Sequence, residues 1–192
     1  MMRISSNTSK RGFTLVEAMV AMSILSLAVT GPLLIAQKGL GSAIYSRDQI
    51  TAIYLAQEAV EYVRNVRDSN RLSDSPWLGQ FSSCKTTDLS PQNACQIDAH
   101  VIDFDDLSGD AIQTCTVGSC EPLSIYQDPG SGDFFYGYGT GANWQPTKFT
   151  RTVTIDDRKS PKEAAVSVTV SWNTGLYAPA QSFSVKEYLF DF

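Results

Sequence analysis

The chain has 192 residues, 43% of them hydrophobic and 18% charged, and a net charge of -5. That composition supports a folded core and argues against wholesale disorder, while the length suits one domain plus an appendage. The acid excess makes the chain a poor generic nucleic-acid binder, because phosphate binding relies on clustered Lys and Arg; no nucleic-acid partner is indicated.

Residues 1–12 carry Arg3, Lys10 and Arg11 and no acid. A short basic tip ahead of a long apolar run marks the cytoplasmic end of a membrane segment. The run itself, residues 13–37, reads FTLVEAMVAMSILSLAVTGPLLIAQ. As a helix it is about 37 Å long, enough to cross a hydrocarbon core of about 30 Å with some tilt. A transmembrane helix half is therefore predicted over 13–38. Gly31-Pro32 interrupts it and predicts a kink or local unwinding, because proline removes a donor and crowds the preceding turn. Glu17 is the only charge inside the run. A lone carboxylate in a bilayer is costly, so it must be neutral, interfacial or paired. Interfacial snorkelling is the plain reading. The functional one is a cation at membrane depth, and a cut after Gly12 creates such a cation, the new α-amino group of Phe13.

Arg11-Gly12-Phe13-Thr14-Leu15-Val16-Glu17, followed by an apolar helix, resembles the leader-peptidase site of type IV pilins and type II secretion pseudopilins. The resemblance implies a basic leader over 1–12, removed by prepilin peptidase between Gly12 and Phe13, and N-methylation of Phe13. It gives Glu17, the fifth mature residue, an assembly role through pairing with a neighbouring subunit's N-terminus. It implies a single-pass precursor in the inner or cytoplasmic membrane with its head outside the cytoplasm. The lipid bilayer and an inner-membrane assembly platform are then its first partners, and other pilin subunits in a surface filament its last. Two readings compete. A secretory signal peptide normally has an apolar core of about 7–15 residues; Ser26-Leu27-Ala28 offers it a weak cleavage site, but Glu17 stays unexplained. An uncleaved single-pass anchor is the other. N-terminal sequencing of the mature protein separates all three.

Past Gly39 and Gly41 the pattern turns amphipathic over 39–70. Ile53, Ala56, Val60, Val63 and Val66 or Arg67 recur at three- to four-residue steps, widened by Leu55 and Ala59. Arg47, Asp48, Glu58, Glu61 and Arg64 are placed largely off that stripe, with Glu61–Arg64 and Arg64–Asp68 at pairing distance along a helix. The helix is expected to fade near Asp68-Ser69-Asn70, whose short polar side chains compete for the backbone. Together the two halves predict a helix of about 84 Å. The stretch 54–70 resembles the helix end of minor pilins and minor pseudopilins.

The extracytoplasmic head is expected over 71–192. Its first part, to about residue 148, reads as irregular, anchored by Trp77, Phe81, Phe104, Phe134, Phe135 and Trp144. All four cysteines lie here: Cys84, Cys95, Cys115 and Cys120. An even count on the outer side favours disulfides, and short loops favour Cys84–Cys95 and Cys115–Cys120 among three pairings. Zinc or free thiols are the alternative, but the CxxC spacings typical of zinc are missing and His100 is the only histidine. Asp103, Asp105, Asp106 and Asp110 form an acidic cluster, a weak calcium candidate. Leu107 spoils the EF-hand spacing, so a solvated loop is the better reading. The glycine-rich stretches 128–133 and 137–141 are turns rather than phosphate loops.

The C-terminal region predicts an antiparallel meander. Residues 149–155 alternate with three threonines on one face. Residues 165–172 place Val166, Val168, Val170 and Trp172 on one side, and 183–190 supply a third strand. The amphipathic helix half is the natural cover for the buried face. The expected fold is therefore α+β and pilin-like, a long N-terminal helix on a C-terminal antiparallel sheet with an irregular disulfide-bearing insertion. No Ser-x-x-Lys, Gly-x-Ser-x-Gly or metal-ligand run is present, and no enzyme and no cofactor is expected. The function expected is a minor pilin-like structural subunit of a type IV pilus or related secretion filament. The alternatives are a major pilin and a membrane-anchored adhesin or binding module that never polymerises.

Overall fold

In a computed structural model of the protein, residues 12–100, 111–160, 162–173 and 179–191 are described. The chain divides into two compact units, Met1–Ser46 and Arg47–Phe192. One helix, α1 (Leu15–Leu72, 58 residues), contributes to both. It stays helical through Gly31 and Pro32, which corrects the local unwinding expected there.

In the first unit no described residue covers the helix. Every described residue up to Ser46 is exposed except half-buried Ala18. Three hydroxyls within this apolar stretch are satisfied by the helix itself. Ser23 Oγ donates to Met19 O at 2.8 Å, Ser26 Oγ to Met22 O at 2.8 Å, and Thr30 Oγ1 to Ser26 O at 2.7 Å. Hydroxyls returned to the carbonyl one turn back present no unmet polar group to an apolar environment.

In the second unit the helix acquires a buried face of Asp48, Ala52, Leu55, Ala56, Ala59, Val60, Val63 and Asn70. The face is rotated from the expected one: Ala52 joins it fully, while Ile53 is only half-buried. Small alanines let the helix approach the sheet closely. Asp48, expected off the stripe, is 1% exposed because Lys148 Nζ donates to its Oδ2 at 2.5 Å. Arg64 pairs with Glu61 at 2.5 Å as the spacing predicts. Its other partner is Glu187 at 2.6 Å rather than Asp68, which Arg67 takes at 2.8 Å. The helix outlasts the polar run because Asn70 turns inward. Asn70 Nδ2 donates to Gln80 Oε1 at 2.5 Å, and Gln80 Nε2 returns a bond to Asn70 Oδ1 at 3.1 Å. This amide pair ties the helix end to the 3-10 helix Gly79–Cys84.

Seven strands follow: β1 (Asn93–Ile97), β2 (Ile112–Thr116), β3 (Pro122–Gln127), β4 (Phe134–Gly137), β5 (Trp144–Ser160), β6 (Glu163–Trp172) and β7 (Gln181–Phe190). They form one antiparallel sheet with β5, 17 residues long, as its spine. One edge of β5 carries β6 and then β7, the expected meander. The other edge carries two hairpins: β3–β4 near the start of β5, and β1–β2 through the Cys95–Val153 pair. Among its described residues, the stretch expected to be irregular thus contains four whole strands and the start of β5. Cys84 is bonded to Cys95 and Cys115 to Cys120, the two short-loop pairings.

The core lies between the helix face and one face of the sheet. Val153, Ile155, Val166, Val168 and Val170 are at most 1% exposed and pack with Ala52, Ala56, Ala59 and Val63. Burying each such side chain contributes roughly 1.5–3 kcal/mol. One member of the inward set on β5 is a charge. Arg151 is 0% exposed, and its guanidinium bridges three elements. Nη1 donates to Leu55 O at 3.0 Å and to Glu58 Oε2 at 2.6 Å on α1, and Nη2 donates to Ile97 O at the end of β1.

The opposite face of the sheet differs in chemistry. Registers place Thr150, Ser171 and Ser182 in one cross-strand row, Thr152, Thr169 and Ser184 in the next, and Thr154, Ser167 and Lys186 in a third. Toward the start of β5 the same face carries Phe135, Tyr126 and Trp144 in one row across β4, β3 and β5.

Candidate functional site

The helix begins where Thr14 caps it. Its Oγ1 accepts from the Glu17 backbone N–H at 3.2 Å, an N-cap bond to one of the orphan donors of the first turn. Thr14-x-x-Glu17 also has capping-box spacing, a signal the sequence analysis passed over. Glu17 lies in the first turn, where the unpaired N–H groups favour a carboxylate. Its side chain is exposed, and Phe13 is 79% exposed. Gly12, Phe13 and Thr14 are outside any regular element, so the Gly12–Phe13 peptide is not locked in helical hydrogen bonds.

Gly12, Phe13 and Glu17 therefore share one short exposed segment at the start of an uncovered apolar helix. Chemically, the segment offers an exposed backbone outside the helix and a carboxylate in the first helical turn. Gly31 and Pro32 lie further along the same exposed stretch. The helix is long and apolar enough to cross a membrane.

In the head, His100 is exposed and stacks on Phe135 with ring centroids 3.6 Å apart. Its backbone N–H donates to Asp98 Oδ1 at 3.1 Å, and Asp98 Oδ2 accepts from Tyr138 N at 3.0 Å. Tyr138 is packed near Arg151. Burial pushes its hydroxyl up to about 12 against the opposing pull of the Arg151 charge. Among the described residues, Arg151 Nε and the Tyr138 hydroxyl are buried without a hydrogen-bond partner. Asp103, Asp105, Asp106 and Asp110 lie outside the described residues. Among the described residues no three His, Cys, Asp or Glu side chains are grouped to hold a metal ion.

Residues 7–31 match the prokaryotic N-terminal methylation motif. Comparison with curated proteins and with solved structures finds no match. The motif is the hallmark of type IV pilins and pseudopilins, a family of structural subunits. The layout beneath it, a long N-terminal apolar helix packed on an antiparallel sheet with two disulfides, is α+β and pilin-like.

Proposed function

We propose that the chain is a minor pilin-like structural subunit of a type IV pilus or related secretion filament. The observation that carries this reading is Glu17, the only charge in residues 13–37, in the first turn of α1 and five residues after Gly12. The methylation motif supports the coarser part, a type IV pilin-like subunit that assembles with other pilins after processing by prepilin peptidase. It also fits membrane anchoring followed by a place in a surface filament.

The finer sequence of events is as follows. The leader, 1–12, keeps the basic tip on the cytoplasmic side while residues 13–38 sit in the bilayer. Prepilin peptidase cuts between Gly12 and Phe13, and Phe13 is N-methylated. The new N-terminus of one subunit then meets Glu17 of a neighbour. Opposite charges at membrane depth attract strongly because little solvent screens them. At the assembly platform, apolar helix halves exchange lipid for one another, and Gly31-Pro32 is where the helix bends to fit the bundle. Residues 39–70 connect this half to the head, 71–192.

Replacement of Glu17 by Ala tests the pairing. The variant is expected to insert in the membrane and be trimmed to Phe13, yet be lost from sheared filaments. Normal incorporation would overturn the pairing, and a mature terminus other than Phe13 would overturn the reading as a whole. The minor assignment is tested by abundance, since a minor subunit is scarce in the sheared fraction that a major one dominates.

A further inference from the structure

The chain passes from α1 to the rest of the second unit only beyond Leu72. Between Arg47 and Leu72, helix and sheet are therefore held together by side-chain contacts. Half of the apolar residues on the helix face, Ala52, Ala56 and Ala59, carry only a methyl group. Methyl groups bring the helix close, but they raise little ridge against movement along its axis. Ion pairs are spread along that axis instead. Asp48 pairs with Lys148 at 2.5 Å, and Arg71 with Asp191 at 2.9 Å. Between these ends, Glu58 meets Arg151 at 2.6 Å and Arg64 meets Glu187 at 2.6 Å. From Asp48 to Arg71 the helix rises about 35 Å. The partners ascend β5 and then β7 in the same order as the helix residues, so α1 runs parallel to both strands. Axial displacement of the helix stretches all four pairs together.

We infer that the two end pairs form a clamp against sliding, which keeps α1 in register with the sheet when tension is drawn along the helix. This rests on the filament reading only for the source of the tension, a head held outside while its helix is anchored among others. A slip of one turn, about 5.4 Å, carries every pair beyond reach. When the helix is drawn toward its N-terminus, later residues come opposite each sheet charge. The middle pairs then have substitutes. Glu61 follows Glu58 by three residues and Arg67 follows Arg64 by three, so an acid again approaches Arg151 and a base again approaches Glu187. The end pairs have none. Thr51 and Ala52 come toward Lys148, and the helix stops at Leu72, so no later helical residue replaces Arg71. Asp48 is 1% exposed, so little water screens its pair.

Unfolding of the full mature protein in detergent under constant tension tests the clamp. Handles at Arg47 and Ser184 load the helix along its axis, and handles at Gln57 and Ser184 lift it off the sheet; all three positions are exposed. Forced unfolding reads the unfolding rate. Under axial load, Asp48→Asn and Asp191→Asn are each expected to unfold about fivefold faster than wild type, and Glu187→Gln less than about twofold faster. Under lifting load, all three variants are expected to stay within about twofold of wild type. The Asp191 side chain is 22% exposed at the rim of the unit, so its variant stays informative if Asp48→Asn fails to fold. Unchanged axial rates in the end-pair variants overturn the inference. So does equal acceleration under both loads, because the pairs would then stabilise without regard to direction. Acceleration by Glu187→Gln equal to that of the end-pair variants overturns it as well. The filament reading depends on the Glu17→Ala and mature-terminus tests, which this readout does not touch.

Discussion

Arg151 ties a helix carbonyl, a helix carboxylate and a strand-end carbonyl to one side chain without exposure to water. Arg151→Ala would leave Leu55 O, Ile97 O and Glu58 without this donor and open a void beside them. Glu58 is 39% exposed and can take up water, so the cost lies in the void and the two carbonyls, about 1–3 kcal/mol for each buried group left unpaired, and a loss of that order is expected in denaturant unfolding of the mature protein. Arg151→Met keeps much of the volume and removes the buried charge, so its loss should be clearly smaller. Beside it, Tyr138 makes stability depend on pH. Its hydroxyl is raised from 10.0 to about 12 by burial, so the folded state favours the neutral phenol. That contribution is complete below about pH 10 and is lost as pH rises from about 10 to about 12, where the unfolded chain ionises first. Unfolding measured across that window should show a fall in stability that Tyr138→Phe reduces. The arginine was readable in principle. Residues 149, 151, 153 and 155 share one side of a strand, so burying Val153 and Ile155 forces Arg151 inward too. The methylation motif was easier, because residues 7–31 carry it in one unbroken stretch.

Among the secondary elements, the meander could be read because Val166, Val168, Val170 and Trp172 alternate without a break. The two hairpins could not. Their strands are four to six residues long, and β1 buries Ala94, Cys95, Gln96 and Ile97 in succession, which erases the period-two signal. Their partner edge lies on β5, far along the chain, and no local pattern announces it. The disulfides help to hold them. β1 meets β5 through the single Cys95–Val153 pair, and the bond from Cys95 to Cys84 fixes the same point from the other side. The Cys84→Ser, Cys95→Ser double variant should lose about 2–3 kcal/mol by the loop-entropy model. The corresponding change at Cys115 and Cys120 should cost less, because that loop is shorter. Thermal unfolding of both variants checks the order, and a nonreducing peptide map checks the pairing.

For the chain taken together, the boundary of the packed unit matters most. The described residues up to Ser46 contribute no buried core, and the packed face starts at Asp48, held by Lys148. A chain beginning at Arg47 should therefore be soluble and unfold with a midpoint within a few degrees of the mature protein. A chain beginning after Leu72 should fail to fold, because it loses the alanine and valine face that covers the sheet; circular dichroism and size-exclusion chromatography distinguish the two. The boundary itself was not readable from hydrophobicity, which changes character near Lys38, before any packing starts. The position of β5 as spine also sets a timetable. On the proposed topology the tip stays inside and the head crosses in chain order, so both cysteine loops reach the oxidising side before Trp144 emerges. The hairpins must then wait, clipped but undocked, with their edges open to any passing strand. Until β5 follows, those edges are where association with another strand is easiest.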